Sequence, residues 1–176
     1  MRRGILLTVL IVAGLAAVSS ACSVAGLAEP LQTGAAAPNF TLPSQENTPV
    51  SLVDYRGKWV VLYFYPKDMS SGCSLEAHNF ERDLAKYGAA NAVVLGVSLD
   101  SVKSHETFCT KDSLTFHLLA DPDHKVVSAY GSLGGFAGIT IANRNTFLID
   151  PQGKIAQVWV KVNPNTSASD VLAALP

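Results

Sequence analysis

Seven apolar residues in unbroken succession, Trp59-Val60-Val61-Leu62-Tyr63-Phe64-Tyr65, run into Pro66-Lys67-Asp68-Met69-Ser70-Ser71-Gly72-Cys73-Ser74. Such a run reads as the buried central strand of a sheet. Leu75, Phe80, Leu84 and Tyr87 follow among polar residues with a helical rhythm, predicting a helix over 74–87. The chain thus sets a cysteine where a buried strand gives way to a helix. Unpaired N–H groups in a helix's first turn carry partial positive charge and favour S⁻ over SH. Ser70, three residues before Cys73, supplies a hydroxyl that can donate to and accept from whatever the sulfur attacks.

The alternation continues along the chain. Residues 39–42 and 50–52 read as short peripheral strands, and Ala92–Ser98 as a second buried strand. Asp100 or Ser101 caps a helix to about Lys111, residues 116–119 form a short strand, and Asp121-Pro122-Asp123 opens a helix ending near Tyr130-Gly131. Residues 131–141 carry four glycines and read as a loop. Asp150-Pro151-Gln152-Gly153 marks a hairpin between residues 146–149 and 155–159, and 167–175 closes the chain as a helix. The fold class is α/β, a mixed sheet flanked by helices, with Trp59, Phe64, Phe147 and Trp159 expected in the core.

The first residues read as an export signal: Met1-Arg2-Arg3 is a charged start, residues 4–18 are almost wholly apolar, and small residues precede Cys22. That stretch of fifteen residues falls short of the roughly 20 that cross a bilayer. Ser19-Ser20-Ala21-Cys22 resembles a bacterial lipoprotein box, with Ser19 where leucine is usual, which predicts lipidation of Cys22; the alternative is ordinary cleavage near Ala21 or Ala28. The expected organisation is a signal over 1–21, a flexible tether over 22–33 and one domain over 34–176, working outside the cytoplasm and meeting a membrane only through its lipid. Without Arg2 and Arg3 the 13 basic residues become 11 against 14 acidic, a net charge of −3. No basic cluster supports nucleic-acid binding.

Several segments carry a family resemblance together, in order: residues 37–43 (Ala-Pro-Asn-Phe-Thr-Leu-Pro), 57–68 (Gly57 to Asp68), 95–98, 118–124 and 144–150 (Arg144-Asn145-Thr146-Phe147-Leu148-Ile149-Asp150), with the Pro-x-x-x-Ser-x-x-Cys motif between them. Over Gly34 to Leu175 the chain resembles the peroxiredoxins, which have a thioredoxin fold with an N-terminal extension, and most nearly the peroxiredoxin Q (bacterioferritin comigratory protein) subfamily. The resemblance implies reduction of hydrogen peroxide or organic hydroperoxides. It makes Cys73 the peroxidatic cysteine, oxidised to a sulfenic acid. It makes Ser70 the hydroxyl that orients the peroxide, Pro66 the cover over the thiolate, and Arg144 the arginine that holds the thiolate and stabilises charge on the leaving oxygen. It implies no cofactor, since sulfur carries the electrons, a thioredoxin-like or other dithiol reductant, and a monomer.

The chain departs from the subfamily in two places. Many members have a second cysteine five residues after the first, where His78 stands here; others resemble an arrangement with the resolving cysteine in the later helix, which makes Cys109 the resolving residue. Ser71 replaces a usual proline, a change in loop stiffness. Disulfide geometry needs Cα atoms within about 7 Å, so cysteines on two helices predict a structural change on oxidation. Plainer readings exist: Cys73 or Cys109 as buried apolar residues, Arg144 as a surface charge, Ser70 as a helix cap. Two rival functions are an exported thioredoxin-fold metal-binding protein, using His105 with Cys109 or Cys73 with His78, and a thiol–disulfide exchange protein. Copper chaperones of this fold rely on a close cysteine pair that is missing here. Dithiol exchange wants Cys-x-x-Cys, and the fourth position is Glu76.

Overall fold

The computed structural model describes residues 29–176. The expected signal segment, Cys22 and most of the expected tether lie outside the described residues. In chain order the elements are β1 (Thr41–Pro43), β2 (Pro49–Ser51), a 3₁₀ turn (Leu52–Tyr55), β3 (Trp59–Phe64), α1 (Ser71–Ala89), β4 (Ala92–Ser98), α2 (Val102–Asp112) and β5 (His117–Ala120). They continue with α3 (Lys125–Ala129), β6 (Leu133–Phe136), β7 (Ile139–Ala142), β8 (Thr146–Ile149), β9 (Ile155–Trp159) and α4 (Ser167–Leu172). No helix among the described residues is long and apolar enough to cross a membrane.

The apolar run is β3, the middle strand of a five-stranded sheet ordered β5-β4-β3-β8-β9. β3, β4 and β5 run parallel, β8 runs antiparallel to β3, and β9 antiparallel to β8. Alternate residues of β3 face opposite layers. Val60, Leu62 and Phe64 pack with Phe40, Leu95, Val97, Val127, Tyr130 and Phe147. Val61, Tyr63 and the following Tyr65 pack with Cys73, Phe80 and Tyr87 of α1, and with Phe108 and Cys109 of α2. Both faces are covered, so neither tolerates polar residues, and that is why the run is unbroken. Each fully buried Leu or Phe contributes about 1.5–3 kcal/mol through apolar burial. Phe64 and Phe147 are fully buried, whereas Trp59 and Trp159 are half-buried at the edge of the second layer. Gly96 is required by close approach: a Cβ there would lie 2.7 Å from the Tyr63 hydroxyl and from Leu118.

Three expectations shift. α1 begins at Ser71, earlier than the apolar rhythm signals, which brings Cys73 into its first turn. α4 stops at Leu172. The glycine-rich stretch is a hairpin, not a loop: β6 pairs with β7 in a register that sets Phe136 opposite Ile139. Its turn residues Ala137 and Gly138 have φ of 49° and 80°, the left-handed pair of a tight hairpin turn. Leu-Gly-Gly-Phe lacks the apolar–polar alternation of a half-buried strand, so the sequence carries no strand signal there.

Candidate active site

The segment between β3 and α1 is pinned to the end of β4 and the turn after it. Tyr65 N–H donates to the Val97 carbonyl at 3.1 Å, extending the β3–β4 pairing by one residue. Asp68 N–H donates to Asp100 Oδ2 at 2.8 Å, and Lys67 Nζ to Asp100 Oδ1 at 2.7 Å. Met69 then adopts φ 57°, a left-handed conformation that costs a non-glycine residue about 1–2 kcal/mol and turns the chain into α1. Ser70 occupies the N-cap position, but its hydroxyl donates to the Lys67 carbonyl at 3.0 Å and makes no side-chain cap bond. The plain capping reading of Ser70 is thus wrong in its hydrogen bond and right in its position. First-turn N–H groups have no intrahelical acceptor, and here the cap residue's side chain does not take one.

Cys73 is 1 % exposed, and its sulfur accepts a hydrogen bond from Arg144 Nη2 at 3.2 Å. The cation arrives from the far side of the sheet's connectivity, between β7 and β8. Its backbone is clamped: Val162 N–H donates to the Arg144 carbonyl at 2.9 Å, and Phe64 N–H, at the end of β3, donates to the neighbouring Asn145 carbonyl at 2.8 Å. Asn145 is held in turn by Ser132 and by Lys161 N–H. A Cβ on Gly72 would come within 3.4 Å of Arg144 Nη2, so a small residue lets the guanidinium lie against the first turn. Arg144 is a half-buried part of the site, not a free surface charge.

A carboxylate completes the arrangement. Glu76 is fully buried one turn after Cys73, accepting from Arg144 Nη1 through one oxygen and from Ser167 Oγ at 2.7 Å through the other. Burial pushes the Glu76 carboxyl above its ordinary value, against the pull of Arg144 and Ser167. For Arg144, burial disfavours the charge, but Glu76 and Cys73 outweigh it and hold the guanidinium more firmly protonated than usual. The chain of contacts is Ser167, Glu76, Arg144, Cys73. Glu76 is legible in the sequence only as a carboxylate three residues after Cys73 on a helix whose other buried positions are largely apolar; nothing local marks Ser167.

Cys109 lies on α2, 8 % exposed in the same layer as Cys73, and both thiols are free. Burial pushes its thiol up to about 12, with the carboxylates of Asp68, Glu46, Glu81 and Asp112 adding to the effect. Pro66 is half-buried at the head of the loop. His78 is exposed, 3.7 Å from Asp112. His105, one turn before Cys109, is fully buried and pairs with Asp68 at 2.8 Å. Among the described residues no group of three or more His, Cys, Asp or Glu side chains is set to hold a metal ion.

Residues 33–158 match the AhpC/TSA family. The chain is 42% identical over 152 residues to a putative peroxiredoxin bcp of Coxiella burnetii, covering 82% of this chain and 99% of that one. Among solved structures it superposes on peroxidoxin BcpB of Mycobacterium tuberculosis with a TM-score of 0.77 at 30% identity, covering 82% and 96% of the two chains. It superposes on peroxiredoxin Q of Xanthomonas campestris with a TM-score of 0.73 at 38% identity, covering 77% and 89%. The Xanthomonas protein is also solved as two single Cys→Ser variants, at different cysteines.

Proposed function

The chain belongs to the AhpC/TSA family, in its Bcp/peroxiredoxin Q branch, and on that premise we propose how its thiol-dependent peroxidase activity runs. Cys73 thiolate attacks one oxygen of hydrogen peroxide or an organic hydroperoxide. The O–O bond breaks, Cys73 becomes a sulfenic acid, and the other oxygen leaves as water or alcohol after taking a proton. Arg144 Nη2 donates to the sulfur and, as the O–O bond lengthens, to the oxygen that gains charge. Ser70 orients the peroxide and Pro66 covers the sulfur. The Cys109 thiol then attacks the sulfenic sulfur, forming a Cys73–Cys109 disulfide and releasing water. An external thioredoxin-like or other dithiol returns both thiols by two exchanges.

The observation that carries this reading is the contact of Arg144 with a buried, unbonded Cys73 on the first turn of α1. The cysteines replaced in the two Xanthomonas variants are separated in sequence by the same interval as Cys73 and Cys109, which supports Cys109 as the resolving partner. Mass spectrometry after one equivalent of hydrogen peroxide tests it, beside Cys73→Ser and Cys109→Ser. The expected result is loss of two hydrogens and a Cys73–Cys109 linked peptide, absent from both variants. Oxygen retained on Cys73 without that bond would make the resolving thiol an outside one. An unmodified Cys73 would end the peroxidatic assignment.

The working compartment is proposed from the sequence: export, and lipidation at Cys22. Metabolic labelling with a radioactive fatty acid should mark the wild type and not Cys22→Ala; equal labelling would leave ordinary cleavage.

A further inference from the structure

Three buried polar side chains outside the Cys73 contacts join the peroxidatic loop to the helix that carries Cys109. Asp68 Oδ1 accepts from the Tyr65 hydroxyl at 2.7 Å, and Asp68 Oδ2 lies 2.8 Å from His105 Nδ1. The Tyr65 hydroxyl is 3.3 Å from the same nitrogen. Tyr65 is 1 % exposed, Asp68 5 % and His105 0 %. Burial would raise the Asp68 carboxyl, yet its hydrogen bond and charge interaction with His105 hold it below the ordinary value. An ionised carboxylate has only acceptors, so His105 Nδ1 carries the shared proton.

The rest of α2 is held by apolar packing of Phe108 and Cys109 and by few buried polar ties. Its buried residues are His105, Phe108 and Cys109, while Lys103, Glu106, Thr107, Thr110 and Lys111 are exposed. A second tie, Ser74 Oγ to Asp112 Oδ2 at 3.0 Å, is only part-buried. His105 and Cys109 are four residues apart and share the buried face. Joining two unbonded thiols on different helices into an S–S bond of about 2.0 Å is the step expected to move the backbone. Cys109 cannot leave its seat without carrying the neighbouring turn, and that turn is fastened through His105.

We propose that Tyr65, Asp68 and His105 form a latch that holds α2 on the peroxidatic loop and sets the rate at which Cys109 resolves the Cys73 sulfenic acid. All three are positioning residues. The proposal rests on the two-cysteine reading above. The step they govern is Cys73–SOH plus Cys109–SH giving the disulfide and water, with no further oxidant. While the latch is closed, a second peroxide competes for the sulfenic acid and takes it to sulfinic acid. An easier opening therefore speeds resolution and lowers over-oxidation together.

The test follows the full chain by rapid quenching and mass spectrometry, separating sulfenic acid formation, disulfide formation and the sulfinic fraction at high peroxide. His105→Leu removes the donor to Asp68, and disulfide formation is expected to be about tenfold faster. Tyr65→Phe removes one hydroxyl with little change of shape and should accelerate it about threefold. His105→Asn keeps an N–H near the Nδ1 position and should stay within about twofold of wild type. Sulfenic acid formation should hold its wild-type rate in all three, and the sulfinic fraction should fall in the first two. A merely structural role would lower melting temperature without separating the two steps. Unchanged or slower resolution in Tyr65→Phe, which decides the matter if His105→Leu fails to fold, overturns the latch alone. If wild type forms no Cys73–Cys109 bond, the two-cysteine reading falls and the latch with it.

Discussion

Cys73 and Cys109 sit in one apolar layer beneath the same sheet, both nearly sealed from solvent, and their electrostatic surroundings are opposite. The first faces a guanidinium that a buried carboxylate holds in place. The second is pushed the other way: burial and then the carboxylates of Asp68, Glu46, Glu81 and Asp112 raise its thiol. Burial is common to both and so does not by itself set the two thiols apart. The sign of the nearest charge does, together with the element that delivers it: Arg144 comes from the β7–β8 connection, whereas Cys109 looks onto a cleft edged by Glu46 and Glu106.

The largest expected consequence concerns Cys109. A thiol of pKa about 12 is about one part in ten thousand thiolate at pH 8, against about one in ten for an ordinary thiol near 9. Iodoacetamide should therefore label Cys109 about a thousandfold more slowly in the native chain than in urea, read by peptide mass. A ratio below about ten would mean that α2 already releases its thiol, and the contrast with Cys73 would be lost. Linkage gives a companion result. The folded chain keeps this proton where the unfolded chain has lost it, so stability falls as pH rises from about 9 towards 12. Cys109→Ala should flatten that slope in urea melts.

Arg144→Gln shortens the side chain and removes both the charge and the Nη2 donor; the second-order rate of Cys73 oxidation should drop about a hundredfold, measured by competition with a reporter peroxidase. Glu76→Gln tests the support behind the arginine and should slow the same step about tenfold. Because burial raises the Glu76 carboxyl, the native state binds a proton that the unfolded chain releases. Wild-type stability should therefore fall as pH rises from the ordinary carboxylate value through the raised one, and Glu76→Gln should lack that fall. Ser167→Ala removes one hydrogen bond to Glu76 and should slow Cys73 oxidation about threefold. An Arg144 or Glu76 variant with wild-type rates would show that burial at the helix start suffices, and that the charge around Cys73 is incidental.

Much of this was legible in residues 59–73. A short apolar run rich in β-branched and aromatic residues reads as a strand covered on both faces, and a cysteine eight residues beyond it falls near the start of the next helix. A cap for α2 at Asp100 or Ser101 was legible too, and the structure chooses Ser101, whose hydroxyl accepts from Ser104 N–H at 3.3 Å. The β6–β7 hairpin was not, because glycine-rich strands carry no periodic signal. Glu76, Ser167 and the Tyr65–Asp68–His105 cluster escaped for a different reason. Each arrangement depends on a partner far along the chain, 91 positions away for Ser167 and Glu76 and 37 for His105 and Asp68.

By itself the sequence determined the central strand, the order of strands and helices outside the glycine-rich stretch, and the position of Cys73 at a strand-to-helix turn, because apolar periodicity and local turn chemistry act over a few residues. Only the tertiary structure decided which charge each thiol meets. Coulomb and hydrogen-bond interactions act between atoms a few ångströms apart, and those neighbours are brought together by sheet register and helix packing. Arg144 stands 71 residues from Cys73, and His105 37 residues from Asp68; folding, not spacing, makes them partners.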